Sequence, residues 1–384
     1  MTHTGPEVKE GAAGPVVVQA DRGGTDTVPT LLAGLRAVHP ALVLVFGPKG
    51  DGLAALADEL APHLPPNCVL AGCSSAGEIG PGGYASDKVV ALGFPARHFR
   101  AEAIVLDRLS ALPVAEWMAG LRRMQRDFDA DPARSVFGLL LADGLAGQED
   151  VLVSALDAAL PHVPVIGGSA GDGLDFGSTW LLSGGRVHRD AAIFLLVETD
   201  LALHQITLAH FRPTETRVVV TAARPDRRRI LELNAEPAAR EYARLTGIAE
   251  DALGPADFAR HPLLLRMGGQ HHVRAISATT EDGGLSLMAA IEPGMVLTLG
   301  HAEDPTRGMA EALDALPRPA LMVLAFDCIL RRLALERDGQ DGPMSQLYAR
   351  HRVAGFNTYG EQHSGMHVNQ TFVGLAFLPP PDAA

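Results

Sequence analysis

The apolar positions of this chain repeat one plan three times. Leu42-Val43-Leu44-Val45-Phe46, Val136-Phe137-Gly138-Leu139-Leu140-Leu141 and Leu321-Met322-Val323-Leu324-Ala325-Phe326 are apolar runs of five or six residues. Runs of that length predict strands buried on both faces. After each comes a stretch with helical periodicity, Leu53 to Leu64, Val151 to Leu160 and Arg331 to Arg337, which predicts a helix covering the sheet. A second apolar segment then leads into glycines and small residues: Val69 to Glu78, Val165 to Asp172, and Val353 to Glu361. A further strand closes each copy, at Val89 to Phe94, Ala192 to Val197 and Thr371 to Phe377.

The repeated unit is strand, helix, strand, glycine turn, strand. From the end of its first strand to its first glycine the three copies take 26, 26 and 29 residues, Phe46 to Gly72, Leu141 to Gly167 and Phe326 to Gly355. A parallel crossover followed by a hairpin fits that length. The fold class expected is α/β: two related α/β domains with mixed β-sheets and helical crossovers, built from these internal repeats. At 384 residues the chain also exceeds the ~250–300 at which one core stops growing.

Between the second and third copies the pattern changes. Val218-Val219-Val220 predicts a strand, Arg229 to Leu245 an amphipathic helix, and the alternation of Leu285, Leu287, Ala289 and Ile291 a half-buried strand. Asp282-Gly283-Gly284, between Ala275-Ile276-Ser277 and that alternation, is a hairpin turn pattern. The domain boundary is expected between Thr199 and Arg212. The segments are then 15–205 and 206–379, with 1–14 a disordered start and 380–384 a tail.

Composition narrows the function classes. Apolar residues at 47% and charged residues at 20% describe a globular chain. A net charge of −13 disfavours a nucleic-acid partner, which needs Lys and Arg to displace counterions. The cluster Arg224, Arg227, Arg228 and Arg229, with Asp226 and Glu232 beside it, is expected to be a solvated turn. No secretory leader or long uncharged apolar stretch is apparent, so a cytoplasmic protein without a membrane span is expected. Cys68, Cys73 and Cys328 have no CxxC spacing, which predicts reduced thiols and no closed zinc site.

The candidate chemistry sits at the glycine turns, which small residues leave open to close approach by another group. They are expected at exposed sheet edges. Each ends in a carboxylate, Glu78, Asp172 or Glu361, six, four and six residues after Gly72, Gly168 and Gly355. These acids either accept a ligand ammonium or cap their own turns. Ser74, Ser75 and Ser169 lie in loops whose N–H groups would cradle an anion, but no GxxxxGK[ST] or GxGxxG pattern supports a nucleotide. Thr358, Tyr359, His367 and Asn369 surround Glu361 in sequence and suit a zwitterion. Arg331 offers a fork for a ligand carboxylate or for Asp327.

Two other chemistries stay open. Gly167-Gly168-Ser169-Ala170-Gly171 meets the bare Gly-x-Ser-x-Gly pattern, and Cys73 is a thiol beside a turn, so a hydrolase using Ser169 or Cys73 is the outlying alternative. The predicted hairpin after Ser169 is not the helix a nucleophile elbow requires. Fifteen histidines include no HExxH, while a haem needs only one axial histidine and an apolar pocket. His188 and the pair His271-His272 are expected at the surface.

Gly72-Cys73-Ser74-Ser75-Ala76-Gly77-Glu78-Ile79, Gly167-Gly168-Ser169-Ala170-Gly171-Asp172, and Phe356-Asn357-Thr358-Tyr359-Gly360-Glu361 with His367, Asn369, Gln370 and Thr371 together resemble the FIST family. Phe326-Asp327-Cys328 with Arg331 and Arg332 resembles its cysteine-arginine segment. Glu232 to Ala238 with Tyr242 resembles the opening of its C-terminal part. The resemblance implies FIST N and FIST C domains, a sensory and non-enzymatic role in bacterial signal transduction, and a small ligand such as an amino acid, with Cys328 among the ligand-site residues. In a subset of that family it implies haem and a response to nitric oxide. No cofactor is otherwise expected. Members are often fused to output domains, whereas this chain ends at Ala384, so a separate signalling partner such as a histidine kinase is implied.

Overall fold

The structure is a computed structural model that describes residues 14–267 and 269–380. The expected disordered start and tail therefore lie outside the described residues, apart from Gly14 and Pro380. Three units of the same build account for the described residues apart from 211–302. The first has strands Val16–Asp21, Pro40–Gly47, Val69–Ser74 and Lys88–Pro95; the second has Phe99–Asp107, Ser135–Ala142, Val165–Ser169 and Ala191–Thr199; the third has Ala202–Ala209, Met322–Cys328, Val353–Thr358 and Thr371–Leu378. Within each sheet the order is first, fourth, second, third. The second and third strands are parallel in every unit, as the crossover length predicts.

Alternation within the apolar runs explains why they are unbroken. Leu42, Leu44 and Phe46 face a central core shared with Leu139, Leu141, Leu324 and Phe326 of the other two units. Val43 and Val45 face outward instead, under the helices Thr27–Arg36 and Asp51–Leu60. Leu140 and Phe194 in the second unit and Val323 and Ala325 in the third face their own helices likewise. Both faces of the three sheets are covered at these central strands, so each position of the run is apolar.

Between its third and fourth strands each unit extends a two-stranded hairpin, and each hairpin pairs with a different unit. Glu78–Gly80 with Gly83–Ala85 pairs onto Val353–Thr358 of the third unit, placing Ile79 opposite Gly355. Leu181–Ser183 with Arg186–His188 pairs onto Val69–Ser74 of the first, placing Leu182 opposite Gly72. Glu361–His363 with Met366–Val368 pairs onto Val165–Ser169 of the second, placing Gln362 opposite Gly167. The exchange is cyclic and completes three six-stranded sheets.

It also corrects the expectation that the glycine turns are exposed sheet edges. Gly72, Gly167 and Gly355 are buried, each between a parallel neighbour and an exchanged hairpin. Added Cβ atoms at the three would collide with the carbonyl oxygens of Val45, Leu140 and Ala325 respectively. Glycine is needed there for close backbone approach.

Residues 211–302 interrupt the third unit with an antiparallel sheet of eight strands. Helices Ala238–Thr246 and Pro255–Arg260 pack on it through Tyr242 and Phe258, against Ile230, Leu263 and Leu297. The helix expected over Arg229 to Leu245 is a strand, Arg229–Leu233, followed by the shorter helix. Ile230 pairs with Ala223 and Leu285, and positive φ at Asn234 and Ala235 turns the chain before the helix begins. The Leu285 alternation is strand only over Leu285–Leu287, paired with Ile276–Thr279 across the expected turn.

Candidate functional site

The three turns meet, and they meet by direct contact. Gly171 N–H donates to the Ser74 carbonyl at 3.2 Å, Ala76 N–H to that of Asn357 at 3.0 Å, and Tyr359 N–H to that of Ser169 at 3.1 Å. Ala76, Tyr359 and Ile329 pack together beside them, and Cys73 and Ala170 belong to the central core. The ground between the turns is thus filled, and the open space lies to one side. There a cleft of about 260 Å³ is lined by Arg22, Lys49, Ser75, Glu78, Asp87, Asp172 and Asp175, with Gly47, Ala76, Gly77, Ser86 and Gly173.

Glu78 is the deepest of these acids. It opens the exchanged hairpin and is wholly buried, accepting hydrogen bonds from Ser75 Oγ at 2.5 Å and Arg22 Nη2 at 3.1 Å on the same oxygen, Oε1. Its other oxygen, Oε2, is buried with no hydrogen-bond partner among the described residues. Burial raises the Glu78 pKa, and the Ser75 hydroxyl, the Arg22 charge and the Lys88 N–H only partly offset it. Behind the acid, Gly77 has φ 143° and a Cβ there would strike the Arg332 guanidinium. Arg332 in turn donates to Asn357 Oδ1 at 3.0 Å and to Ser86 Oγ at 2.9 Å, tying the third unit to the cleft wall.

Asp172 has the opposite electrostatics. Burial disfavours its charge, but the Tyr359 hydroxyl, the N–H groups of Ser178 and Gly177, and Lys49 outweigh that and hold its pKa below the ordinary value. The two N–H bonds are 2.8 and 2.9 Å long, and Lys49 Nζ stands 4.0 Å away. Phe176 stacks on the Tyr359 ring with centroids 4.5 Å apart, which fixes the hydroxyl on Asp172. Lys49 also bonds Asp175 at 2.6 Å, which raises its own pKa. The cleft therefore offers two cations, Arg22 beside Asp87 at 3.9 Å and Lys49 on Asp175, and two further acids of opposite tendency, Glu78 and Asp172.

Of the thirteen residues singled out in the sequence, Ser75, Glu78 and Asp172 line this cleft. Ser74 Oγ accepts from Trp180 N–H at 3.0 Å and Tyr359 supports Asp172. Thr358 and Glu361 form a separate closed cluster, in which the Thr358 hydroxyl, Thr371 Oγ1 at 2.6 Å and Thr371 N–H at 3.1 Å all donate to the Glu361 carboxylate. Burial pushes the Glu361 pKa up to about 8. Ser169 and His367 both meet the Gln362 amide, at 2.8 and 3.2 Å, and Asn369 Nδ2 donates to the Tyr359 carbonyl at 3.3 Å. Ser169 Oγ thus faces an amide, and no base reaches it among the described residues.

Cys73 and Cys328 are buried, and burial pushes both thiols well above their ordinary pKa. Arg331 Nη1 alone donates to both Asp327 oxygens, at 2.9 and 3.1 Å, and to Tyr348 Oη at 3.0 Å, deep inside the third unit. His272 is buried, correcting its expected surface position: its strand, Gln270–Arg274, faces the Met366–Val368 hairpin strand. Arg228 leaves the expected solvated cluster to bond Glu149 at 2.7 Å, docking the inserted domain on the second unit. Among the described residues no three His, Cys, Asp or Glu side chains are grouped to hold a metal, and no helix is long and apolar enough to cross a membrane.

Sequence reasoning missed Arg22, Lys49 and Asp175. Arg22 follows the strand Val16–Asp21, and Lys49 follows Pro40–Gly47. Both lie past the C-terminal ends of strands, where open α/β sheets bind ligands, but no strand was expected at Val16–Asp21 and neither residue belongs to a motif.

Comparison with known proteins agrees with this architecture. A family model described as the FIST N domain matches residues 41–236, and one described as the FIST C domain matches residues 238–364. No curated protein matches the chain. With the two matches spanning most of its length, the chain belongs to the FIST family of sensory signal-transduction domains.

Proposed function

We propose that the protein is a sensor whose ligand is an amino acid or similar small zwitterion, bound in the cleft between the first and second units. The observation that carries this is Glu78, a buried carboxyl with one oxygen unpartnered, in a wall shared with Arg22, Lys49 and Asp172. A ligand ammonium supplies the partner Oε2 lacks, as a charge-assisted hydrogen bond. A ligand carboxylate meets Arg22 and Lys49. Such a site fits the sensory role of the family, which needs binding rather than turnover.

The haem alternative gains nothing from this cleft, since no histidine is among its lining residues. For signalling, the ligand must favour one arrangement of the units over another. The wall residue Ser86 accepts a hydrogen bond from Arg332 of the third unit, and the Arg332 charge acts on Glu78, so the helix Ile329–Arg337 stands next to the proposed site. A separate output protein, such as a histidine kinase, would read the favoured arrangement. Thermal-shift screening against amino acids and related metabolites at millimolar concentration tests the proposal. At least one compound should raise the unfolding temperature, by the linkage of binding to stability; a set in which none does so contradicts it.

A further inference from the structure

A second cavity, of about 380 Å³, lies at the root of the inserted domain. The chain passes between that domain and the third unit through two adjacent segments: Phe211 pairs with Ala302, and Glu303 N–H donates to the His210 carbonyl at 2.7 Å. Both segments line the cavity, together with the C-terminal ends of the helices Pro255–Arg260 and Ile329–Arg337.

The acids around this cavity are already engaged. Asp304 caps the helix Pro305–Asp314, accepting from Thr306 and Arg307 N–H at 2.9 and 3.4 Å. Asp338 is forked by Arg337 at 2.9 and 3.2 Å, and Glu303 stands 3.9 Å from Arg212. Of the basic groups Arg337 is committed to Asp338, and Arg260 and two histidines are left over. Among the described residues Arg260 has no ion pair, the His301 ring lies 5.6 Å from that of His261 between centroids, and His210 Nδ1 is buried with no hydrogen-bond partner. Burial and the charge of Arg331 push the His210 pKa down to about 3, so its ring is neutral and can present Nδ1–H as a donor.

We infer that this cavity is a binding site for a small oxyanion, a carboxylate or phosphate group, held by Arg260 with His301 and His210 as hydrogen-bond donors. Arg260 and His301 belong to the inserted domain and its return strand, whereas the opposite wall, Ala334 to Asp338, belongs to the third unit. A bound anion therefore joins the two across their connecting segments. This site is independent of the Glu78 cleft and shares no lining residue with it.

Calorimetric titration of the full chain with inorganic phosphate and, separately, with succinate tests it and tells the two sources apart. At least one probe should bind saturably, and both Arg260→Ala and His301→Ala should weaken it about tenfold or more, as expected for loss of hydrogen bonds to a charged group. Glu78→Gln should leave it unchanged. Far-UV circular dichroism and the unfolding temperature check that each variant folds. The inference is overturned if neither probe binds up to roughly 10 mM, if both cavity variants bind as the parent does, or if Glu78→Gln alone abolishes binding.

Discussion

Glu78 and Glu361 occupy the same position of the repeat, and of the two Glu78 borders the open cleft. Each begins an exchanged hairpin, one residue before the position that pairs with the conserved-geometry glycine of another unit, Gly355 or Gly167. Each accepts a hydrogen bond from a hydroxyl three residues earlier, Ser75 or Thr358. At Glu361 the Thr371 hydroxyl and N–H occupy the second oxygen; at Glu78 that oxygen has no partner among the described residues. In the second unit the position is Leu181, opposite Cys73, and Asp172 lies nine residues earlier in the loop.

The closed member of this pair predicts a pH dependence. Glu361 has a folded pKa of about 8 against an ordinary 4.5, so between those values the folded chain binds more protons than the unfolded one. Its contribution to stability is full below about pH 4.5 and is lost as pH rises through 8. Unfolding temperatures of the parent and Glu361→Gln, measured from pH 5 to 8.5, isolate the effect. The variant should gain on the parent as pH rises, and a difference that stays constant would contradict the assignment.

The three buried glycines predict equal sensitivity at sites far apart in sequence. Gly72→Ala, Gly167→Ala and Gly355→Ala each drive a methyl into a neighbouring carbonyl oxygen. Each should cost roughly 1–3 kcal/mol, the usual range for overpacking, or more because backbone cannot yield like a side chain. Urea unfolding measures this. Gly184→Ala, at an open hairpin turn with nothing near, should show only the strain of its positive φ.

Thiol chemistry separates a sensor from a Cys73 hydrolase. Burial pushes the Cys68 thiol up to about 12 and the other two well above their ordinary value. With so little thiolate present, all three should react slowly with a disulfide reagent at pH 8 and rapidly once the chain is unfolded. Rapid modification of Cys73 in the folded protein would reopen the nucleophile.

Much of the architecture is legible in the sequence because it is written in period. Unbroken apolar runs meant two covered faces, and spacings of 26, 26 and 29 residues meant one repeated crossover. The site was only half legible. Six residues separate Gly72 from Glu78 and Gly355 from Glu361, whereas five separate Gly167 from Asp172, so the sequence grouped Asp172 with two acids whose structural position it does not share. Which sheet accepts each hairpin leaves no local trace, because pairing across units depends on packing of the whole core. Arg22 and Lys49 carry no motif, and they become site residues only when strands distant in sequence bring their ends together.

The central claim is that Glu78 receives the charged amino group of the ligand. Calorimetry with the amino acid that most stabilises the parent, repeated on Glu78→Gln, tests it most directly. The amide keeps the size of the side chain and removes its charge, so affinity should fall roughly 10- to 100-fold, the worth of a hydrogen bond to a charged group, while the variant stays folded. Binding by Glu78→Gln as tight as that of the parent would contradict the account.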